Sequence, residues 1–534
     1  MSEVFLRVVE SGLQRDDTCF ANGTFRFRQV CRNWNEVAIG SPQLWVRWVS
    51  GAFRAWPLFR ARSKEAPIFL TWRTHQIPAS GLDVLADPAI PGRIRQLDFI
   101  GTSKQLEQAL GAFNSSSPSN ALSIRLHVTQ SIFAIEDDTQ DHVARFLPFS
   151  FPKLSKLDIE NFQPDSSSPL LTTSNLTSLR LSFHSGIRPR DTLAQFSRLL
   201  QKHPNLEELD LEYGAMPRVE PAEDPAPITL PRLVDLKLHG TAECILGLVN
   251  LIDISIPLQN VFFQFCYPRD QNVPALVDIV KKLLAAYYEC EGLVYPRKAS
   301  HLTVESWPGG DWDPLVFMAR SHSAPASIPR PVLKLQFYRK DELMDVFPLF
   351  PLDDTREFTM DGLFLSSDEH YKLLQRVKGI SRLELAALDI GPVFGALDSR
   401  NRGASKGAIN LLRWTTDVCT DDPAQRLIPK LVSLTLSRLD FLHGVVDDTL
   451  DFLQGRRNRK IGLKRLVIRS CRVHRDDDES LGLEELVKVV RWINSEEMGS
   501  DYERSDGGID SDEFDCYLGG YGRAFNYYGC ADFD

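Results

Sequence analysis

The densest chemistry in the chain is a basic run near its C-terminal end. Between Gly455 and Arg475 stand Arg456, Arg457, Arg459, Lys460, Lys464, Arg465, Arg469, Arg472 and Arg475. Guanidinium forks suit a phosphorylated or acidic target motif, because Arg holds planar oxyanions through paired hydrogen bonds. The stretch Arg-Arg-Asn-Arg-Lys also fits a nuclear-import signal. No aromatic residue interleaves the cluster, which weakens base stacking and argues against nucleic acid as a partner. Asp476, Asp477, Asp478 and Glu479 follow at once. A solvated face, partly neutralised by acid, is the plain alternative.

The acidic residues gather elsewhere. Residues 496–534 hold eleven acids against Arg504 and Arg523, so this tail carries most of the formal net charge of -10. The body is close to neutral, without the broad positive field a polyanion binder needs. Asp506, Asp510, Asp512, Glu513 and Asp515 invite a calcium-loop reading. Phe514 at a ligand position and the missing central glycine defeat it. Acid followed by Gly and Tyr up to Gly529 reads as disorder.

No phrase assembles an enzyme site. There is no HExxH, GxSxG, Walker or GxGxxG motif, and the 11 histidines are scattered without a close His/Cys pair. The expectation is a protein with no catalytic residue, no metal and no cofactor. Nine cysteines without a CxxC pair fit reduced thiols in the cytoplasm or nucleus. The opening residues carry an acid at Glu3 and no long apolar run, unlike a secretory signal. The most apolar stretch, Cys244 to Pro257, is broken by Asn250 and Asp253 and is too short to span a bilayer.

These residues need elements to hold them. At 534 residues the chain exceeds one compact core, so it must be several domains or a solenoid. A phrase of apolar, two residues, apolar, one residue, apolar recurs. The clear copies are Leu154-Leu157-Ile159, Leu176-Leu179-Leu181, Leu206-Leu209-Leu211 and Leu233-Leu236-Leu238. Ile94-Leu97-Phe99 precedes them; Ile380-Leu383-Leu385, Leu431-Leu434-Leu436 and Leu463-Leu466-Ile468 follow, with weaker copies near Ala121, Ala299 and Val332. Between copies lie helical patterns, at Asp191 to His203, Ala275 to Cys290, and from Ser366 to Gly379 with a Ser366/Glu369 capping box. Residues 240–275 and 386–430 resist phasing. Short strand and helix alternating at this period predict an α/β fold, an irregular leucine-rich-repeat solenoid (a horseshoe). A doubly wound α/β domain also alternates strand and helix, but its strands are longer and repeat no fixed phrase.

In such a strand the spaced apolar residues enter the core and those between them face out on the concave side. This predicts Lys156, Asp158 and Glu160 in one unit, then Glu208, Asp210 and Glu212, then Asp235, Lys237 and His239, and finally Arg465, Val467 and Arg469. Asp158, Glu160, Glu208, Asp210, Glu212, Arg465 and Arg469 are the candidate target-binding residues. The face should change from acidic in the middle to basic at the end.

The first seventy residues differ in kind. Val4, Phe5, Val8 and Val9 fall at helical spacing, as do Val30, Trp34, Val37 and Ala38; Ser41 and Pro42 then break the pattern before Leu44, Trp45 and Trp48. The order SEVFLRVVESGL … FRQVCRNWNEVA … SPQLW resembles an F-box, as found at the start of many fungal leucine-rich-repeat proteins. Val30, Cys31, Arg32 and Trp34 match that family's Val-Cys-Lys/Arg-x-Trp phrase, and Ser41 to Trp45 match its closing Ser-Pro-Gln-Leu-Trp. Glu3 and Val4 stand for the Glu-Ile of its opening.

The resemblance implies a short all-α F-box-like module. It also implies the substrate-recognition subunit of a Skp-cullin-F-box ubiquitin ligase, with the box on the Skp adaptor, the cullin beyond it, and the repeats on a target protein. Val4, Phe5, Val8, Val9, Val30, Cys31, Trp34, Leu44 and Trp45 would carry the adaptor contact. These residues could instead cap the first repeat, as solenoid ends require. Residues 1–75 carry eleven basic and six acidic residues, so an acidic partner would be steered to this end. The expected layout is a box over 1–50, a linker or cap over 51–92, the solenoid over 93–495 and the tail over 496–534.

Overall fold

The structure is a computed structural model whose described residues lie within 32–386 and 428–498. Inside those spans the larger stretches outside the description are 74–86, 130–150, 289–300 and 321–331. The chain forms two compact units, Met1–Arg297 with Pro331–Leu335, and Lys298–Arg330 with Gln336–Asp534.

The first unit is built on a parallel sheet that runs almost in chain order. Its strands are β1 (Arg47–Val49), β2 (Ile68–Arg73), β3 (Ile94–Gly101), β4 (Ser123–Val128), β5 (Lys156–Glu160), β6 (Ser178–Phe183) and β7 (Glu208–Tyr213). They continue through β9 (Asp235–Gly240) to β11 (Asn260–Phe265). The two-residue strands β8 (Ile228–Thr229) and β10 (Ile252–Asp253) pair with each other outside it.

One backbone device repeats from β4 to β11. The carbonyl just before a strand accepts two amides from the next rung. Ser155 O takes the N–H groups of Thr177 and Ser178, Thr177 O those of Glu207 and Glu208, and Glu207 O those of Val234 and Asp235. Val234 O does the same for Gln259 and Asn260. This double acceptance fixes register, so each rung presents the same positions to the same faces.

The apolar phrase supplies the core. Leu154, Leu157 and Ile159, and the matching trios from 176, 206 and 233, are all buried. Between rungs, the helix Leu193–Gln201 (α1) opens on a capping box of Thr192 with Gln195 and buries Leu193, Phe196, Leu199 and Leu200. The helix Val273–Tyr288 (α2) buries Leu276, Ile279, Val280 and Leu284.

The start of the sheet lies upstream of the first legible phrase. The helix Arg32–Gly40 ends where Ser41 and Pro42 intervene, and a 3₁₀ turn, Pro42–Trp45, leads straight into β1. Aromatic side chains replace leucine here: Trp45 meets Phe59 edge-on at 5.3 Å, and Trp48 contacts Trp56 at 5.3 Å and Trp72 at 5.5 Å between ring centroids.

The second unit uses the same rung. After β12 (His301–Ser306), β13 (Leu315–Arg320) and β14 (Val332–Phe337, most of which belongs to the first unit) come β15 (Glu357–Asp361), β16 (Arg382–Ala386), β17 (Ser433–Ser437), β18 (Arg465–Arg469) and, past β19 (Arg472–His474), β20 (Val489–Ile493). β12, β15, β16, β17, β18 and β20 run parallel in that order, and β13 lies antiparallel to β12. β21 (Glu496–Met498) pairs with β19. The double acceptor recurs at Arg356 O, Ser381 O and Val432 O.

Gly379, expected as a helix stop, is required for a different reason. A Cβ there would stand 2.7 Å from the Asp353 carbonyl oxygen and 3.3 Å from that of Thr355, too close for any side chain. The helix itself is Ser367–Arg376; Ser366, the expected cap, lies outside the described residues. Each of the two units is thus a mixed α/β, leucine-rich-repeat-like ladder of parallel strands.

Candidate functional site

Because every rung is in register, the solvent-facing residues of the first unit line up in rows across its sheet. The middle row reads Asp98, Arg125, Asp158, Arg180, Asp210, Lys237 and Phe262, one per strand. Acid and base alternate across six successive strands. Directly opposed opposite charges stabilise a sheet by about 0.2–1 kcal/mol per pair, so this row is a ladder of cross-strand ion pairs.

Three neighbouring pairs of the row lie within 4 Å, Arg125–Asp158, Arg180–Asp210 and Asp210–Lys237, and the bases also reach acids of the flanking rows. Arg125 Nε lies 3.3 Å from Asp158 Oδ2, and Arg180 Nη2 donates to Glu212 Oε1 at 2.9 Å. Lys237 Nζ lies 3.3 Å from Glu208 and 3.6 Å from Asp210. In the flanking row His127 Nδ1 lies 3.0 Å from Glu160, and the Ser182 hydroxyl donates to Glu212 Oε2 at 2.7 Å.

Burial and pairing compete along the row. Burial pushes the Asp98 and Asp158 carboxyls up, against the pull of nearby arginines. Burial opposes ionisation of Glu160 too, but the hydrogen bond and charge of His127 and the charge of Arg125 win and hold it down. Arg180 and Lys237 are raised, because their acids outweigh a desolvation that works the other way. Asp210 is pushed up to about 6 by burial and then by the like charge of Glu212. Burial pushes His239 down to about 4, so its ring is neutral near pH 7.

One place on this face gathers donors of metal-binding type. One carboxylate oxygen each from Asp210 and Glu212, and one ring nitrogen of His239, lie within 4.8 Å of one another. Strand pairing creates the group: Glu212 is opposite His239, and Asp210 is opposite Lys237. The His239 ring also meets Phe262 edge-on at 4.9 Å, and Lys334 Nζ sits 4.7 Å above the Phe262 ring.

The second unit's face has another character. Its middle row reads Thr303, Thr359, Glu384, Thr435, Val467 and Arg491. The flanking rows carry Arg465 and Arg469 on β18, both exposed, and end on Val489 and Ile493 on β20. Arg469 lies 3.6 Å from Glu384, whereas Arg465 and Arg491 have no ion pair among the described residues. Acids here cluster toward the first strands: Glu357 binds both His301 and Arg382, and Asp361 pairs with Arg438.

Of the expected target-binding residues, Asp158, Glu160, Glu208, Asp210 and Glu212 all stand on one sheet face of the first unit. Arg465 and Arg469 stand at the basic end of the second. Asp210 is buried rather than presented, at 4% exposure. Of the expected adaptor residues, Val4, Phe5, Val8, Val9, Val30 and Cys31 lie outside the described residues. Trp34 falls on the helix Arg32–Gly40; Leu44 and Trp45 are buried, with the Arg62 guanidinium 5.0 Å over the Trp45 ring. Arg456, counted in the basic run, is buried and donates to the Ile428 and Leu431 carbonyls, so it braces the fold. Arg459, Arg475 and residues 499–534, with the rejected calcium loop, lie outside the described residues.

Sequence reasoning missed the Asp210–Glu212–His239 group. The signal was the 27-residue step between the phrases at Leu206 and Leu233, which sets residue 212 beside residue 239 once the repeats are phased.

No protein-family model and no curated protein matches the chain. Among solved structures, it is similar to the leucine-rich repeat-containing protein LegL7 from Legionella pneumophila, at 11% identity over 72% of this chain and 87% of that one, with a TM-score of 0.23. At that score the likeness adds nothing to the fold, which rests on the strand ladders. No helix among the described residues is long and apolar enough to cross a membrane.

Proposed function

We propose that this chain is a non-catalytic protein-binding subunit whose repeats hold a target, with the N-terminal segment docking on the Skp adaptor of a cullin ubiquitin ligase. The observation that carries the target-binding part is the register. Each of the two units presents rows of charged and polar side chains at fixed spacing, which is the kind of surface repeat proteins use for partners.

Within that reading, the basic end of the second unit is the place for an acidic or phosphorylated segment of the target. Arg465, Arg469 and Arg491 sit on the adjacent strands β18 and β20, beside Ser433 and Thr435 on β17. Guanidinium groups there can fork onto phosphate or carboxylate, and hydroxyls can add further donors. The adaptor part rests on the phrase Val30 to Trp45, on the helix that carries Trp34, and on the basic balance of residues 1–75.

The test is capture of purified Skp adaptor by the full chain, beside a Val30→Ala/Trp34→Ala variant whose fold is checked by circular dichroism. Binding by the parent and at least about tenfold loss in the folded variant supports docking; truncating a hot-spot residue typically costs about 2 kcal/mol or more. A second reading is a protein-interaction scaffold with no ubiquitin role. The burial of Leu44 and Trp45 within the first rungs favours it, since it spends the closing part of the phrase on capping the sheet. No capture of the adaptor by the full chain selects that reading.

A further inference from the structure

We propose that Asp210, Glu212 and His239 form a binding site for a divalent transition-metal ion of the zinc type on the sheet face of the first unit. Three observations converge on it, and none depends on the protein-binding reading.

The first is the donor set. One imidazole nitrogen and two carboxylate oxygens within 4.8 Å of one another supply the number and type of protein donors of an open zinc-type site, and a small side-chain rotation brings them to ligand distance. An all-oxygen ion such as calcium or magnesium has less use for the imidazole. The ligands come from two hydrogen-bonded strands, so the backbone holds their spacing. His239 is also fixed by its edge-on contact with Phe262.

The second is a buried oxygen with nothing to bind. Asp210 is 4% exposed, and its Oδ1 is sealed from solvent without a hydrogen-bond partner among the described residues. Its other oxygen has only Arg180 Nε at 3.7 Å and Lys237 Nζ at 3.6 Å, both beyond hydrogen-bond distance. A buried carboxylate oxygen left bare is costly, and a cation in direct contact removes that cost.

The third is charge. Around Arg180 and Lys237 gather Asp158, Glu208, Asp210, Glu212 and Asp235, five acids against those two bases and Arg125, which pairs with Asp158. A divalent ion supplies the missing two positive charges. Glu212 is already held in place: Arg180 takes one of its oxygens and the Ser182 hydroxyl the other, in the manner of outer partners that position a metal ligand. Each carboxylate oxygen keeps lone-pair capacity for an ion as well.

The test uses the full chain, stripped with chelator and titrated with cobalt(II) as the spectroscopic stand-in for zinc. The expected result is one saturable equivalent with visible ligand-field absorption, displaced by zinc. Asp210→Asn, Glu212→Gln and His239→Gln should each weaken it at least about tenfold, the lower end of the loss seen when even an outer partner of a metal ligand is removed. Each variant's fold is checked by circular dichroism. His301→Gln, which removes a histidine of similar setting in the second unit, should leave binding unchanged. Absence of a saturable equivalent overturns the proposal. So does cobalt binding that all three ligand variants leave intact, since that would place the ion elsewhere, for instance on the acidic tail.

Discussion

The two units share a rung and differ in what they do with its outer face. In the first, acid and base alternate strand by strand from Asp98 to Lys237, so most charges of the face meet a neighbour and the surplus acid gathers at Asp210 and Glu212. In the second, the same geometry ends on Arg465, Arg469 and Arg491, of which only Arg469 has an acidic partner among the described residues. A repeat fold therefore does not dictate a binding face. The backbone fixes where outward side chains stand, and their identity decides whether neighbours consume them or leave them for a partner.

The largest effect should test the shared part. Leu209 and Leu434 occupy equivalent core positions and are both fully buried. Leu209→Ala and Leu434→Ala should each cost about 2–5 kcal/mol, as buried leucine truncations do, read as a drop in urea resistance. A cost confined to one of them would mean that the two units are not built on the same rung.

Next comes the turn that the second unit cannot relax. Gly379→Ala drives a methyl into the Asp353 carbonyl, and overpacking of this kind costs about 1–3 kcal/mol. A thermal melt unchanged from the parent would show that the turn can shift.

The charge rows give a smaller, sharper contrast. A double-mutant cycle on Arg180 and Glu212, joined at 2.9 Å, should return a coupling of up to about 1 kcal/mol that fades with salt. The cycle on Arg469 and Glu384, 3.6 Å apart and more exposed, should return less. Equal couplings would erase the distinction between the faces.

The smallest effect concerns pH. His203 is fully buried in the first unit, and burial pushes its ring below the usual histidine range while the ring bonds the Leu171 carbonyl at 2.7 Å. Between that lowered value and about 6.5 the unfolded chain binds more protons, so stability rises with pH across this window and is lost below it. His203→Gln should flatten that slope; a slope unchanged in the variant would assign it to other groups.

Much of the fold was legible because leucine is. Every clear LxxLxL phrase became a strand. Other rungs were hidden by substitution: tryptophan and phenylalanine fill the core behind β1 and β2, Thr355 replaces the leading apolar residue before β15, and Leu258-Val261-Phe263 carries β11 through residues that resisted phasing. The outward positions were legible from the strand period alone. Their partners were not, because pairing depends on register between rungs of unequal length. Thus an acidic middle was expected, and Arg125 and Arg180, which that expectation did not name, interleave the acids together with Lys237, which it did. The basic run misled in the opposite sense: Arg456 belongs to the interior, bonded to two carbonyls, which a count of charges cannot show.

The most direct measurement is the affinity of the full chain for a short, multiply phosphorylated acidic peptide, by anisotropy at two salt concentrations, in two charge-reversal variants. Arg465→Glu/Arg469→Glu/Arg491→Glu, in the second unit, should weaken binding at least about tenfold, since a hydrogen bond to a charged group is worth about 1.5–3 kcal/mol. Arg125→Glu/Lys156→Glu, in the first, should leave it near the parent value. Binding that survives the second-unit reversal, or falls more with the first-unit one, would contradict the assignment of the open, anion-receptive face to the second unit.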